Sequence, residues 1–455
     1  MATRRGPSAI PSEQAMKAAQ RRMEPLSRAS VTDTLRVTAQ VMLPTLLGGV
    51  VKRRPRAMAL AQKLQLDQRA IRLHQRLRRR YGSGPLRLRV PGRSFDLVLS
   101  PDEVGTLLAG TPSPFSPATK EKKAALGHFQ PHGALISEGA ERAERRKINE
   151  TVLQPGREIH ELAAPWAKAA AEAVEAMLRS GGELDWDTFN TQWWTIVRTV
   201  TLGGDTAEDR EVTDTLAKLR IDANWAYAHP KRHRTEQPFL DLVRRQVALR
   251  RPGSLAAALA SAPAEGDADP AGQLPHWLFA FDAAGIVVFR ALALLATHPD
   301  ELAEARRELG DADLTQPQQL PLLRASVLES VRLWPTTPAL LRESRAETAW
   351  GPSNTSFLIY TPYFHRDAEQ LPYADRYAPG IWLDGTAAEN PALVPFSAGP
   401  GACPGRDLVL FTTSMVLGNL VQDHDFRLHG TELVPGRLPD TVDNFGLRFG
   451  VAGRG

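Results

Sequence analysis

The only cysteine of the chain, Cys403, lies in a loop rich in glycine and proline that leads directly into an apolar helical segment. Unpaired backbone N–H groups and the helix dipole favour a thiolate at such a position, so we expect a lowered pKa for the Cys403 thiol. Glycines at positions 399, 401 and 405 let a flat ligand approach the backbone closely. A lone cysteine is more often an inert buried residue, but this loop favours a metal ligand.

Asp282 is a second candidate, because it is the one charged residue in the apolar run 277–289. The run predicts a helix that is buried on nearly all sides. A carboxylate in such a helix is costly unless it is paired, hydrated or protonated, so Asp282 is a candidate for a functional role. The alternative is a structural aspartate bonded to a neighbouring backbone group or basic side chain.

Glu329 and Arg332 stand three residues apart in the segment 328–335. Residues at this spacing lie on one face of a helix, where they can form an ion pair. Taken alone, such a pair is common on protein surfaces and contributes little to stability.

The composition limits the class of protein. The chain has 455 residues, 42% of them hydrophobic, which excludes a disordered protein. Its formal net charge of +5 is mild for this length and does not indicate nucleic-acid binding. A single cysteine excludes an intramolecular disulfide and a zinc site built from cysteines. The apolar stretch 41–51 is too short for a transmembrane segment and no secretory signal is recognisable, so we expect a cytoplasmic protein.

Several segments predict the elements that position these residues. Residues 86–90 and 94–99 flank a Pro-Gly turn and predict a β-hairpin. Helical periodicity runs from 138 to about 178 and again from 187 to 202. We expect the tryptophans of the second helix in the core rather than at a cofactor.

The pattern Phe396-x-x-Gly399-x-x-x-Cys403-x-Gly405 resembles the haem-binding loop of the cytochromes P450. The resemblance implies haem b, iron protoporphyrin IX, as the cofactor and Cys403 as its axial thiolate ligand. In family terms, electron donation from the thiolate favours cleavage of the O–O bond of bound dioxygen.

Upstream, Glu329-x-x-Arg332 resembles the structural motif that braces the haem-side core of the same family. The resemblance implies a mainly α-helical fold with small β-sheets and a single haem domain at 61–455. Residues 1–60 match no motif, and we predict a partly helical N-terminal extension there.

The buried helix resembles the family's distal helix, whose acid–alcohol pair delivers protons to bound dioxygen. That pair falls at Asp282 and Ala283, so the acid is present and the hydroxyl is absent. Ala284 does not restore the hydroxyl. A substrate hydroxyl, an ordered water or another side chain would then carry the proton, or the chemistry avoids full oxygen activation.

The resemblance also implies contacts to the haem propionates. The position two before the cysteine is Gly401, where family members often place a basic residue, so the charge must be met elsewhere. Arg142, Arg146 and Arg342 match three such positions. The alternative for Arg142 and Arg146 is a solvated basic face shared with their neighbours.

A third partner for the Glu329–Arg332 pair is expected from the family pattern. The matching segment, 379–382, lacks the arginine that would supply it. Arg376 and Arg366 are both candidates, and the sequence does not choose between them.

By analogy with the family, the substrate pocket is lined by apolar residues from the distal helix, a turn after the Glu-x-x-Arg helix and the C-terminal strands. For each residue the alternative is ordinary core packing. Small residues at 283 and 284 leave room above the haem for a bulky or polycyclic substrate. The expected lining residues are Phe279, Ala280, Ala283, Ala284, Pro338 and Phe445.

The function implied is that of a monooxygenase that oxidises a small molecule such as a secondary metabolite by hydroxylation, epoxidation or oxidative coupling. Electrons would come from a separate ferredoxin or flavodoxin with its reductase, docked on basic residues near the cysteine loop: Arg142, Arg145, Lys147 and Arg406. Two alternatives stay open: a peroxygenase that uses hydrogen peroxide, and a haem-binding protein without turnover.

Overall fold

The structure is a computed structural model that describes residues 26–179, 181–226, 233–264 and 268–454, with the backbone alone at 205 and 233. The predicted N-terminal extension therefore lies partly outside the described residues. The α-helices are α1 (Val31–Val37), α2 (Leu43–Gly48), α3 (Pro55–Leu64), α4 (Leu66–Tyr81), α5 (Pro101–Ala109), α6 (Lys120–Leu126), α7 (Gly139–Leu153), α8 (Ala163–Leu178), α9 (Trp186–Leu202), α10 (Glu211–Ala223), α11 (His233–Ala248), α12 (Leu255–Ser261), α13 (Leu274–Thr297), α14 (Pro299–Leu309), α15 (Pro321–Leu333), α16 (Thr361–Arg366) and α17 (Arg406–Val421).

Two small sheets accompany the helices. A six-stranded sheet has the order β1-β2-β3-β7-β6-β4, and a three-stranded sheet has the order β5-β9-β8. The strands are β1 (Ser27–Arg28), β2 (Leu86–Arg87), β3 (Phe95–Leu97), β4 (Phe115–Ser116), β5 (Gly182–Asp185), β6 (Ala339–Ser344), β7 (Ser356–Tyr360), β8 (His424–His429) and β9 (Arg448–Gly453). The predicted hairpin is present as β2 and β3, which pair antiparallel with Leu86 opposite Leu97.

The helical run predicted from 138 to about 178 is two helices, α7 and α8. Gln154 ends α7 in the left-handed conformation with φ 51°, and Pro155 follows it. Proline lacks an N–H and restricts the residue before it, so a continuous helix is excluded there. The prediction of one continuous helical run was therefore wrong, because α7 and α8 carry the same apolar spacing.

The predicted buried helix is α13. Nearly all of its second half is buried, including Val288, Phe289 and Leu292. The stretch Pro270–Thr297 is long and apolar enough to span a membrane, but 78% of its most apolar window is buried inside the fold. This is the environment of a core helix, packed on α9, α15 and α17.

The N-terminal segment is joined to the rest of the fold. β1 extends the six-stranded sheet by pairing in parallel with β2, with Ser27 opposite Leu86. α3 contains residue 60, the boundary that the sequence suggested between extension and haem domain. The division into 1–60 and 61–455 stays a prediction.

Candidate functional site

The cysteine loop is a tight turn held by its own backbone. Cys403 N–H donates to Phe396 O at 2.9 Å, and Ala402 N–H donates to Gly399 O at 3.0 Å. Gly399 has φ 62°, and a Cβ there would stand 2.5 Å from Leu108 O on α5. The sequence suggested that these glycines admit a ligand, but Gly399 is required by the close approach of the protein's own backbone.

The other two glycines of the loop differ from each other. A Cβ at Gly401 would stand 2.8 Å from Thr111 Cγ2 and 3.4 Å from the Arg342 guanidinium. A Cβ at Gly405 would make an ordinary contact with Leu153 at 3.7 Å. Gly401 is therefore small because Arg342 and Thr111 occupy the space beside it, whereas Gly405 meets no steric limit.

The expectation of a lowered thiol pKa is wrong for the protein groups alone. Burial raises the pKa of the Cys403 thiol, and the Gly405 N–H and the Arg146 charge oppose this only in part. The loss of water around a thiolate outweighs one hydrogen bond and a nearby cation. A positive charge in direct contact, such as a metal ion, is what deprotonates a thiol in such surroundings.

Buried cations surround this loop. Arg342 is 3% exposed, and it donates to Thr111 Oγ1 at 2.9 Å and to Ser397 Oγ in the cysteine loop at 3.2 Å. Burial, followed by the charge of Arg142, lowers the pKa of Arg342 to about 10. Arg142 is also buried and donates to Ala134 O at 2.8 Å. The alternative from the sequence, in which Arg142 lies on a solvated basic face, is therefore wrong.

Lys122 on α6 belongs to the same group of cations, and the sequence analysis missed it. Its Nζ donates to Leu341 O at 3.3 Å. Burial, followed by the charges of Arg342 and Arg142, lowers its pKa well below the usual value. Within the described part of the chain, none of these three cations forms an ion pair with an acid. Lys122 stands in a Lys-Glu-Lys-Lys run that reads as an exposed helix, so no sequence signal could have identified it.

Arg146 contacts the loop from α7. Its guanidinium donates to Ala402 O at 2.7 Å and to Glu150 Oε1 at 2.5 Å. Arg146 thus holds the backbone carbonyl of the residue before Cys403, and it forms an ion pair with Glu150 on its own helix.

The basic docking surface expected beside the loop needs correction. Arg142 and Arg145 are both buried, and Arg145 donates to Ser137 Oγ at 2.6 Å. Lys147 and Arg406 are exposed. Only the latter two can belong to a surface that another protein reaches.

Glu329 and Arg332 form a buried ion pair on α15, and both are 0% exposed. Arg332 Nε donates to Glu329 Oε1 at 2.7 Å. Arg332 Nη2 also donates to Glu329 Oε2 at 2.8 Å, and the two Nη groups reach four backbone carbonyls, those of His365, Tyr373, Ala374 and Arg376. Buried charges persist when paired and fully hydrogen-bonded, so this network ties α15 to the segment before the cysteine loop.

The third partner of this pair is Trp382, which the sequence analysis did not consider for that role. Its indole N–H donates to Glu329 Oε1 at 2.8 Å. Arg376 contributes only its carbonyl, and Arg366 pairs with Asp375 at 2.8 Å. Both candidates from the sequence are therefore wrong, because a neutral indole takes the place of a third charge.

Trp382→Phe tests this assignment, because it removes the N–H and keeps an aromatic ring. We expect the free energy of unfolding to fall by about 1.5–3 kcal/mol, the usual cost for a hydrogen bond to a charged group. Urea unfolding is the measurement. Trp194→Phe, in the partly buried Trp194 of α9, is the matched control, and equal effects of the two substitutions would contradict the assignment.

His365 connects the ion pair with the cysteine loop. Its carbonyl accepts from Arg332 at 3.0 Å, and its Nε2 accepts from Val394 N–H at 3.1 Å. Burial, followed by the Arg332 charge, lowers the pKa of His365 to about 3. The ring is therefore neutral in the folded protein at neutral pH.

A pH dependence of stability follows from this histidine. The unfolded chain binds a proton near pH 6.5, whereas folded His365 does not, so acid favours unfolding. We expect the free energy of unfolding to fall as pH drops from about 6.5 towards 3, by at most about 1.4 kcal/mol per pH unit for this group. His365→Gln should make the slope shallower by about one proton. Urea unfolding between these pH values measures it, and exposed His429→Gln, the control, should leave the slope unchanged.

Asp282 forms an ion pair that links α13 to α10. Arg220 donates to Asp282 Oδ2 at 2.5 Å and to Val51 O at 2.9 Å. Arg220 is 2% exposed and its guanidinium carbon lies 5.2 Å from the Phe279 ring centroid. Asp282 is therefore bonded to a basic side chain, which was one of the alternatives from the sequence. The sequence could not identify that side chain as Arg220.

The expected pocket residues separate into two groups. Phe279, Ala280 and Ala283 are partly exposed on α13, and Pro338 is partly exposed before β6. Ala284 is 4% exposed and belongs to the core. Phe445 is partly exposed as well, and it packs edge-on against Trp186 with centroids 5.4 Å apart.

Comparison with known proteins places these features in a family. A family model for Cytochrome P450 matches residues 281–440, a range that contains Asp282, the ion pair of α15 and Cys403. The chain is 31% identical to corytuberine synthase of Coptis japonica over 153 residues, or 30% of this chain and 32% of that protein. It is 31% identical to bifunctional cytochrome P450/NADPH–P450 reductase 2 of Bacillus subtilis (strain 168) over 163 residues, or 33% of this chain and 15% of that protein. The aligned parts thus span a third or less of these curated relatives.

The similarity of fold extends over nearly the whole chain. A retinoic-acid-bound cyanobacterial cytochrome P450, CYP120A1, superposes with a TM-score of 0.67 at 18% identity, over 84% of this chain and 94% of that one. The cytochrome P450 CYP102L1 superposes with a TM-score of 0.70 at 16% identity, over 95% of this chain and all of the other. The predicted fold, mainly α with small β-sheets, is confirmed. The segment 281–440 matches the Cytochrome P450 family model, and the chain as a whole has the fold of the cytochromes P450.

Proposed function

We propose that the protein is a haem-thiolate monooxygenase that binds haem b through Cys403. The observation that carries this proposal is the position of the only cysteine in a tight loop that two arginines contact, one of them buried. Arg342 donates to Ser397 Oγ of this loop at 3.2 Å, and Arg146 donates to Ala402 O at 2.7 Å.

The residues present fit this cofactor. Arg142 and Arg342 offer buried positive charge, Lys122 adds a partly exposed one, and none of the three pairs with a described acid; haem carries two propionates. A thiol whose pKa is raised by burial binds iron as the thiolate, with release of its proton. When bound, thiolate-ligated haem supplies the activation of dioxygen.

The chain's own contribution to proton transfer centres on Asp282. Its carboxylate is 21% exposed and engages Arg220 through Oδ2, so Oδ1 is the oxygen that would exchange a proton. The neighbouring Ala283 has no hydroxyl. A proton relay past Ala283 would then need an ordered water or a hydroxyl of the substrate.

Asp282→Asn tests this role. We expect haem binding to be kept and turnover per haem to fall about tenfold to a hundredfold, because the carboxamide does not relay protons. Asp214→Asn on α10, an exposed acid with 57% of its side chain accessible, is the matched control. Unchanged turnover in Asp282→Asn would return this aspartate to a purely structural role.

The proposed substrate is a bulky or polycyclic secondary metabolite, oxidised by hydroxylation, epoxidation or coupling. The small side chains of Ala280 and Ala283 support a roomy distal space. The proposed electron donor is a separate ferredoxin or flavodoxin with its reductase, in the cytoplasm. The exposed cations Lys147 and Arg406 would meet its acidic surface.

The absorption spectrum of the reduced, carbon-monoxide-bound protein tests the proposal. We expect the strongly red-shifted Soret band of thiolate ligation, and a band typical of histidine ligation would overturn the assignment. A second candidate, a peroxygenase, is favoured by the missing hydroxyl at Ala283. Faster turnover with hydrogen peroxide than with a reductase and ferredoxin would support that candidate instead.

A further inference from the structure

Exposed apolar side chains concentrate in one part of the fold. Of the thirteen large apolar side chains that are exposed among the described residues, ten lie within 31–64 and 221–225. Single exposed apolar residues are ordinary on a protein surface, but a cluster of them indicates an interaction surface. Five of the ten, each 46–52% exposed, come from α2, the turn after it and the end of α10, and we call them the apolar patch: Leu43, Leu46, Leu47, Val50 and Trp225.

Arg54 joins the two sides of the apolar patch. Its guanidinium carbon lies 4.3 Å from the Trp225 ring centroid, and its Nη1 donates to Leu47 O at 3.1 Å. Asn224, the residue before Trp225, accepts from Val51 N–H at 2.9 Å. These contacts fix the end of α2 and the turn after it against the end of α10, so the patch is one surface.

The backbone behind the patch is bound to the interior of the fold. Val51 is 6% exposed and belongs to the main core, and its carbonyl accepts from buried Arg220 at 2.9 Å. Arg53 donates to Thr336 O at 2.8 Å. Because this segment is fastened from the inside, the side chains on its outer face cannot turn into the core.

A row of cations and leucines lies beside the patch on α3. Arg56, Leu60, Lys63 and Leu64 follow helical spacing on one face and are all exposed. Among the described residues, neither Arg56 nor Lys63 forms an ion pair with an acid. α3 packs against α2, so its free positive charges adjoin the exposed apolar side chains.

The charge of this region has one sign. Between Asp33 and Asp67 the chain carries six cations and no acid. α10 adds one acid near the patch, Asp222, which is partly buried. Residues 1–25 carry five cations and two acids, so like charge disfavours them as a cover for the patch. A second copy of the chain, placed symmetrically, would also bring like charges together. Charge therefore favours an anionic occupant.

We propose that the apolar patch and the adjoining row on α3 dock the protein peripherally on an anionic phospholipid surface. The apolar side chains enter the boundary between headgroups and acyl chains, where the ring of Trp225 keeps its polar N–H near the headgroups. Arg56 and Lys63 contact the lipid phosphates. This docking surface is independent of the proposed haem-thiolate chemistry.

Co-sedimentation with lipid vesicles is the measurement. Vesicles of phosphatidylcholine are compared with vesicles of equal parts phosphatidylcholine and phosphatidylglycerol, at low and at high salt. We expect the partition coefficient to be at least about tenfold higher on the mixed vesicles, and high salt to reduce this difference. Leu47→Glu should lower partitioning onto mixed vesicles at least about tenfold, because a carboxylate does not enter the interface and lipid phosphate repels it.

Arg56→Gln separates the electrostatic part of the binding from the apolar part. It should lower partitioning onto mixed vesicles about fivefold and leave partitioning onto phosphatidylcholine unchanged. Arg427→Gln makes the same change of charge at an exposed position of β8 and is the matched control, which should stay near the unsubstituted protein.

Leu383→Glu is the matched control for Leu47→Glu, because this leucine is 53% exposed outside the patch. Equal losses in the two variants would overturn the proposal, since net charge alone would then govern binding. Absence of binding to both kinds of vesicle would also overturn it. So would a dimer, detected by light scattering, that Leu47→Glu converts to a monomer, because a second copy would then cover the patch.

Discussion

Cys403→Ser is expected to abolish the thiolate-type carbon monoxide spectrum and to lower turnover by at least about a hundredfold. Loss of groups that merely orient a metal ligand typically costs ten- to a hundredfold, and this change removes the ligand itself. A serine hydroxyl binds iron weakly at neutral pH and does not donate charge as a thiolate does. The reduced spectrum and turnover per haem are the measurements.

Ala402→Ser is the matched control for that experiment. It places the same hydroxymethyl group one residue earlier in the loop and leaves Cys403 in place. The Ala402 carbonyl, which accepts from Arg146 at 2.7 Å, is retained in this variant. A thiolate-type spectrum that persists in Cys403→Ser would show that the ligand assignment is mistaken.

Glu329→Gln should have the largest effect on stability. It leaves Arg332 as an unpaired charge at a site where both side chains are 0% exposed. It also places an amide group against the N–H donors of Ala378 and Trp382. Breaking a buried ion pair by removing one partner costs about 3–5 kcal/mol, so we expect a loss of that size in the free energy of unfolding.

Urea unfolding measures this loss, and a matched exposed pair provides the control. Glu161 pairs with Arg157 at 3.4 Å with more than half of each side chain accessible. Glu161→Gln should change the free energy of unfolding by less than about 1 kcal/mol, because exposed ion pairs contribute little. Comparable effects at the two sites would mean that the Glu329 network does not carry the stability assigned to it.

The local parts of the site were determined by the sequence alone. The loop around Cys403, the pair Glu329–Arg332 and the buried helix with Asp282 each depend on spacing within one short segment. Helix periodicity and the conformational freedom of glycine act over a few residues, so these features follow from the residues themselves. Pro155, which prevents a continuous helix, is also visible in the sequence. The strong apolar pattern on both sides of it led to the wrong prediction of a single helix.

The partners of these residues were decided by the tertiary structure. Arg220 pairs with Asp282 across 62 positions of sequence, and Trp382 reaches Glu329 across 53. Lys122 reads as an exposed lysine in its own helix, but the fold buries it in part and brings its Nζ to 3.3 Å from Leu341 O.

The tertiary structure also decided the pKa of the Cys403 thiol. Its loop and helix predicted a lowered pKa, and burial raises that pKa because the folded chain removes water from the sulfur. The pKa of a group depends on the charges, the burial and the hydrogen bonds contributed by every residue that the fold brings near it. The sequence therefore determined which residues carry the chemistry, and the tertiary structure decided which groups neutralise, orient and enclose them.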